Sequence, residues 1–141
     1  MPTTRLGQIA ALAAIIATSA ITGAMAQDQP AATKVSPLMK QVLADIPGRE
    51  GVVLTLDIAP GGGSPAHRHP GHHIFGYVLE GTYKIKLDQG EERLLKKGDT
   101  FYEAPGQLHA VSANGSATEP AKVLVFIVAE SGKPVTVPEK Q

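Results

Sequence analysis

The chain has 141 residues, a length that suits one domain and leaves no room for two separate hydrophobic cores. Its 13 basic residues balance its 13 acidic residues and aromatic residues make up only 4%, so the composition gives no support for nucleic-acid binding. The absence of cysteine excludes disulfides, zinc–thiolate sites and thiol nucleophiles. Any bound metal must therefore be held by nitrogen and oxygen atoms.

Residues 1–26 have the pattern of a secretory signal peptide. Arg5 precedes an apolar run over residues 9–21, and Ala24-Met25-Ala26 has the small-residue form of a cleavage site. We expect the mature protein to be exported, to the periplasm if the cell is Gram-negative and otherwise out of the cell. After cleavage we expect no association with a membrane, because no second apolar stretch approaches the length of a membrane span.

Residues 27–48 are predicted to be a leader followed by a short helix. The segment 27–35 has the composition of a disordered leader. Ser36 is a suitable N-cap and Pro37 suits the first helical position, so we expect a short amphipathic helix over residues 38–43. Pro47-Gly48 then ends it.

From residue 49 to residue 130, short β-prone segments are separated by turns rich in glycine and proline, a pattern typical of an all-β sandwich or small barrel. The clearest segments alternate in polarity, as along residues 52–58 and 82–87. The tail, residues 131–141, is predicted to be extended or frayed. The expected core residues are Val52, Leu54, Leu56, Ile58, Val78, Ile85, Leu87, Val123, Val125 and Ile127.

The five histidines are concentrated in two short segments. Four of them fall within residues 67–73, and His109 follows about forty residues later. His67 and His69 are two apart, and residues i and i+2 of a strand point to the same face, so both imidazoles can bind one ion while Arg68 turns away. Imidazole is the commonest side-chain metal ligand. The pattern predicts a metal site built from one tight strand segment and one distant strand.

These residues resemble the two motifs of the cupin superfamily. In the first motif, Gly61 is followed after five residues by His67-Arg68-His69, and the segment closes at residues 77–81. In the second, Gly98 is followed after five residues by Ala104-Pro105-Gly106, and His109 comes two residues later. The resemblance implies a double-stranded β-helix, that is, a jelly-roll barrel with the metal inside its mouth.

The first motif departs from the family pattern because its usual glutamate is missing. Counting forward from His69 gives His73 or Ile74, and counting back from Gly81 also gives Ile74. The segment therefore carries one extra residue, which we expect to form a bulge near Gly76. Some small cupins place a histidine here and bind metal through four histidines. The resemblance thus implies His73 as the fourth ligand, with His72 as the alternative.

A few further residues allow two interpretations. Glu103 is either a carboxylate at the site or a residue of its rim. Tyr77, Phe101 and Tyr102 either line a pocket or belong to the core and to surface pairs. Asn114 lies one residue later than the usual asparagine of the second motif, and we assign it to a turn.

We expect one divalent transition metal as cofactor, bound through His67, His69, His73 and His109, and an all-nitrogen site favours iron, manganese, nickel, copper or zinc. One hypothesis is a dioxygenase or isomerase acting on a small oxygenated molecule, with catalytic residues that the sequence does not identify. The alternatives are a non-enzymatic periplasmic module that binds a small ligand or metal, and a cupin with a purely structural metal. A small-molecule ligand is the expected partner, and a homodimer is compatible with the sequence.

Overall fold

A computed structural model describes residues 33–140, and every regular element in that range is a β-strand. The signal peptide predicted for residues 1–26 lies outside the described residues, as does most of the leader. The eleven strands are β1 (Lys34–Val42), β2 (Arg49–Ile58), β3 (Gly63–Ser64), β4 (His67–Arg68), β5 (His73–Glu80), β6 (Thr82–Leu87), β7 (Arg93–Lys96), β8 (Thr100–Glu103), β9 (Leu108–Asn114), β10 (Ala121–Glu130) and β11 (Val137–Pro138).

The strands form two antiparallel sheets. The first has the order β1-β2-β10-β5-β8, and the second has the order β11-β4-β9-β6-β7 with β3 also paired to β9. The chain crosses between the sheets repeatedly, since β5, β8 and β10 belong to the first sheet and β4, β6 and β9 to the second. This arrangement confirms the predicted all-β jelly roll.

The prediction of a short helix over residues 38–43 is wrong. The segment forms most of strand β1, which pairs antiparallel with β2 and also includes Lys34 and Val35 from the expected leader. Ser36-Pro37 is a local helix-start signal, but backbone pairing with β2 overrides it. A proline is tolerated there because β1 is an edge strand, and the register shifts between Pro37 and Met39.

The hydrophobic core lies between the sheets and contains the predicted residues. Six of the ten are buried and the other four, Val52, Leu54, Leu56 and Leu87, pack against them. Ile74, Tyr83 and Phe101 also belong to this core, each with less than a tenth of its surface exposed. The period-2 alternation of β2 and β6 thus correctly identified the inward face.

The bulge expected near Gly76 lies instead at Leu79. Val123 of β10 pairs with Val78 while Lys122 pairs with Glu80, which leaves Leu79 without a partner. Gly76 has a different role, because it pairs with Phe101 of β8 and a Cβ atom there would lie 2.1 Å from the Phe101 ring. Gly76 therefore makes space for a core aromatic side chain.

The outer face of the first sheet exposes several aromatic side chains, among them Phe75, Tyr102 and Phe126. Phe75 packs against both of the others, with ring centroids 5.1 and 6.1 Å apart. The homodimer stays a prediction. Among the described residues, no helix is long and apolar enough to cross a membrane.

Candidate metal centre

Three of the five histidines meet at one end of the space between the sheets. His67 of β4 is the direct cross-strand partner of His109 of β9, and His69 immediately follows β4. One ring nitrogen of each lies within 4.8 Å of the others. The pairing of β4 with β9 thus joins the two motifs, as the sequence predicted, and His67, His69 and His109 form a group that could hold a metal ion.

Backbone carbonyls fix the rings of His67 and His69 in the form that a metal requires. His67 Nδ1 lies 2.7 Å from the Pro65 carbonyl oxygen, and His69 Nδ1 lies 2.7 Å from that of Val135. A carbonyl can only accept, so Nδ1 carries the hydrogen in both rings and donates it. The lone pair of each neutral ring is therefore on Nε2, where it is free to bind a cation.

His109 is oriented by a tyrosine in the core. Its Nε2 lies 3.3 Å from the Tyr83 hydroxyl, which lies 2.8 Å from Ser112 Oγ. Burial raises the pKa of Tyr83, so this hydroxyl stays protonated. The opposite nitrogen of His109, Nδ1, is buried and has no hydrogen-bond partner within the described part of the chain. No sequence signal identified Tyr83 beyond its place on the inward face of β6.

Glu103, the last residue of β8, is the carboxylate that faces this group. Its Oε1 lies 3.1 Å from His109 Nδ1, and its Oε2 lies 3.8 Å from His69 Nε2. Only 2% of the residue is exposed, and Oε2 has no hydrogen-bond partner among the described residues. The sequence allowed Glu103 to lie either at the site or on its rim, and the structure places it at the site.

His72 is fully buried, and both of its ring nitrogens form hydrogen bonds with the backbone. Its Nδ1 accepts a hydrogen bond from the Glu130 amide at 2.9 Å, so the ring hydrogen is on Nε2, which donates to the Pro134 carbonyl at 3.0 Å. Neither nitrogen has a lone pair left for a metal. His72 joins the start of β5 to the C-terminal tail and is not an alternative ligand.

His73, the expected fourth ligand, is not brought to the group either. Side chains alternate along β5, so Ile74 points inward and is buried while its neighbours His73 and Phe75 point to the outer face. There His73 Nδ1 lies 2.8 Å from the Tyr102 hydroxyl, with the two rings stacked. The count of three residues from His69 selected His73, which points to the outer face. The turn before β5 sets which residues of the strand face inward, and the count does not take that turn into account.

The histidine group opens into a cavity of about 440 Å³, a volume within the range of small-molecule sites. Its walls are largely apolar, and its polar groups are the three histidines, Glu103, Tyr83, Ser64, Ser112 and Thr136. Among residues 33–140, no lysine or arginine lines it. The sheets supply most of the wall, and Val135 and Pro138 of the tail supply the rest.

Burial lowers the pKa of both His67 and His69. Desolvation is the largest cause for each, and hydrogen bonds to the carbonyls of Pro65 and Val135 oppose it in part. For His67, proximity to His109 and His69 lowers the pKa further. Both rings therefore favour the neutral state, which is the state that binds metal.

The tail, predicted to be extended or frayed, is extended and held in place. β11 pairs with β4 beside His67, and the Glu139 amide donates to the Ala66 carbonyl. Arg68 turns away from the histidines as predicted, and its guanidinium contacts the Glu139 carboxylate at 2.6 and 3.0 Å.

Asn114, assigned to a turn, ends β9 and holds the following turn together. Its Oδ1 accepts from the Ser116 amide, and its Nδ2 donates to the carbonyls of Ile58, Ala59 and Glu119.

The profile of the family described as the cupin domain, Cupin_2, matches residues 54–127, a range that contains all three histidines and Glu103. The chain is 34% identical over 77 residues to the cupin-domain-containing oxidoreductase fogC of Aspergillus ruber, covering 55% of this chain and 37% of that protein. It is 34% identical over 90 residues to oxalate oxidase GF-3.8 of Triticum aestivum, covering 59% and 39%. The matched segments thus span about two fifths of these relatives.

Solved structures show the same fold. A double-stranded β-helix protein of Klebsiella pneumoniae superposes with a TM-score of 0.63 at 19% identity, covering 80% of this chain and 89% of that one. A recombinant oxalate oxidase in complex with glycolate gives a TM-score of 0.59 at 24% identity, covering 79% and 57%.

Proposed function

This chain belongs to the cupin domain family, and we propose that it is a metal-dependent oxidoreductase acting on a small, mainly apolar molecule. The observation that carries the proposal is the meeting of three histidines, with two Nε2 lone pairs set free by carbonyls, at a 440 Å³ cavity. The named activities of the relatives, an oxidoreductase and an oxalate oxidase, support the reaction class.

We propose that His67, His69 and His109 hold one divalent transition metal. The donor set fits, because neutral imidazole suits iron, nickel, copper and zinc, and the unpartnered His109 Nδ1 has no other role in the fold. Bound there, a redox-active metal supplies activation of dioxygen or of a coordinated substrate oxygen. Three histidine ligands would leave coordination positions for water or a substrate oxygen.

The residues around the metal position and shield the reacting molecule. Tyr83 keeps its proton and fixes the tilt of His109 through the hydrogen bond at Nε2. Ile74, Phe101 and Val125 present apolar surface to the cavity, which excludes water from the apolar part of a bound molecule.

The lining of the cavity favours an apolar substrate with one polar end over a small dianion such as oxalate. A dianion needs cationic partners when it is removed from water, and none of the lysines and arginines that the structure describes lines the cavity. A molecule with a hydroxyl or carbonyl at one end could place that oxygen at the metal and bury the rest against Leu54, Leu56 and Ile127.

We also propose that the protein acts after export. The apolar run after Arg5 and the Ala24-Met25-Ala26 sequence support cleavage after Ala26. Mass spectrometry of the protein recovered from the periplasm or medium tests this, and a mature chain that begins at Gln27 is expected. Recovery of the full-length chain from the cytoplasm would reject export and leave the metal site untouched.

The metal and the activity are tested on residues 27–141. The protein is loaded anaerobically with Fe(II), Mn(II) or Cu(II), analysed for metal content, and screened for oxygen uptake with apolar alcohols and carbonyl compounds alongside oxalate. We expect one metal per chain and oxygen uptake with members of the apolar set. His67→Ala should lose both, and the matched control His73→Ala should keep both.

The outcomes separate the candidate functions. Full metal occupancy in His67→Ala rejects the site. Stoichiometric metal without oxygen uptake on any compound rejects the oxidoreductase and favours a binding module. Uptake with oxalate alone rejects the apolar substrate class.

A further inference from the structure

The carboxylate of Glu103 is buried in the cavity wall, and nothing described so far compensates for the loss of its hydration. The residue is 2% exposed, and its Oε2 has no hydrogen-bond partner among residues 33–140. Removing a carboxylate from water without a partner is costly, and proteins pair such a group or use it to bind a cation. Arg68, the only arginine or lysine of β4, turns to Glu139 on the other side of the strand. A cation at the histidine group is therefore the available partner.

The position of Glu103 follows from strand pairing. Glu103 is the direct partner of Ile74 on the neighbouring strand β5, and both side chains point into the cavity. Ile74 is the residue at which the longer count forward from His69 and the count back from Gly81 both place the missing glutamate. Because directly opposed residues have Cβ atoms about 4.5–5.5 Å apart, β8 brings a carboxylate to nearly the same place as that glutamate.

The contact between Glu103 and His109 is not a hydrogen bond. Oε1 and Nδ1 are 3.1 Å apart, yet Nδ1 has no hydrogen-bond partner. The neutral ring is satisfied when its hydrogen is on Nε2 and is donated to the Tyr83 hydroxyl at 3.3 Å. The Nδ1 lone pair then faces a carboxylate, and two lone pairs so close together repel each other unless a proton or a metal cation lies between or beside them.

The spacing also suits a shared ion. Two atoms that bind one metal at about 2.1 Å lie roughly 3.0–3.4 Å apart. Glu103 lies 3.1 Å from one histidine nitrogen and 3.8 Å from the metal-facing nitrogen of His69. Small movements of a glutamate side chain bring both separations into that range.

We propose that Glu103 is the fourth protein ligand of the metal held by His67, His69 and His109, an inference that rests on the proposed metal site. The carboxylate restores the negative charge that the loss of the motif glutamate removes. Carboxylate ligands suit Mn(II), whereas imidazole suits copper and nickel. Glu103 would therefore raise the affinity for Mn(II) more than the affinity for Cu(II).

Titration of Glu103→Gln with Mn(II) and with Cu(II) tests the proposal, using the mature protein and a competing chelator. Loss of a residue that only orients a ligand typically weakens metal binding about 10–100-fold, so the size of the loss alone is not decisive. We expect Mn(II) affinity to fall at least about 100-fold and Cu(II) affinity to fall much less. Glu50→Gln is the matched control, because Glu50 is also buried but pairs with Lys40.

Equal losses for the two metals would show that Glu103 acts only by holding His109, and unchanged Mn(II) affinity would show no role. Either result overturns the proposal while the three-histidine site stands. A wild-type protein that binds neither metal rejects the site and the fourth ligand together. If Glu103→Gln does not fold, Glu103→Asp, which keeps the charge but shortens the reach, replaces it with the same expected Mn(II)-selective loss.

Discussion

His69 Nδ1 lies 2.7 Å from the carbonyl oxygen of Val135, so a residue of the C-terminal tail orients a ring of the histidine group. The neighbouring carbonyl of Pro134 accepts from His72 at 3.0 Å. Val135 and Pro138 also form part of the cavity wall. The tail thus orients one ring of the histidine group and closes part of the cavity.

Deletion of residues 132–141 is therefore expected to weaken metal binding about 10–100-fold, the usual cost of losing a partner behind a metal ligand. The affinity is measured by competition with a chelator. Deletion of residues 139–141 is the control, because it removes the Glu139 contact to Arg68 but keeps the carbonyl of Val135. The control should change stability little, because both side chains of this ion pair are about a third exposed and solvent screens their attraction. Equal losses of affinity in the two deletions would contradict this role of the tail.

Substitution of His72 and His73 should separate stability from metal binding. His72→Ala removes two buried hydrogen bonds to the backbone and should lower the free energy of unfolding by about 2–4 kcal/mol. His73→Ala changes a ring on the outer face and should cost less than about 0.5 kcal/mol. Denaturant unfolding gives both values. Each variant should keep one metal per chain, and loss of metal in His73→Ala would restore it as a ligand.

The sequence predicted those features that depend on alternation along a single strand. It identified the inward residues of β2 and β6 and the placement of His67 and His69 on the same face of their segment. It failed where pairing between distant segments decides the outcome. Residues 34–42 are a strand because β2 offers a partner, and no local signal reports that partner. Likewise Glu103 reaches the site through its pairing with Ile74, which is a matter of register and not of motif.

Gly76→Ala should destabilise the fold through a clash in the core. The new Cβ would lie 2.1 Å from the Phe101 ring, which also packs against Tyr83 with ring centroids 5.4 Å apart. Overpacking of this kind costs about 1–3 kcal/mol, measurable by thermal unfolding. The double variant Gly76→Ala/Phe101→Leu should be less unstable than the sum of the single changes, because the smaller side chain relieves the clash. Simple additivity would contradict direct contact as the cause.

The metal-free protein should lose stability as the pH falls below about 6.5. The pKa values of His67 and His69 are lowered in the folded state, mainly by burial. Between the lowered values and the usual value, the unfolded chain binds more protons than the folded one, so stability rises with pH through this window and is lost on acidification. Unfolding by urea from pH 7.5 to pH 5 measures the slope. A double variant, His67→Ala/His69→Ala, should show a shallower slope, and an unchanged slope would assign the effect to other groups.

Removal of the metal should loosen one end of the barrel without unfolding it. The core of Ile58, Val78, Ile85, Val123 and Ile127 is buried independently of the histidine group, and a domain of this size can fold on such a core. A ligand that binds only the folded state adds about 2.7 kcal/mol at a hundredfold excess over its Kd, which corresponds to a rise in Tm of roughly 10 °C. Chelator-treated protein should therefore stay β-rich by circular dichroism with a lower Tm, and added metal should restore it. His67→Ala should melt at the lower temperature with or without metal. A random-coil spectrum after chelation would instead show that the protein needs the metal in order to fold. In that case the pairing of β4 with β9, which brings His67 to His109, would form only when the ion is bound.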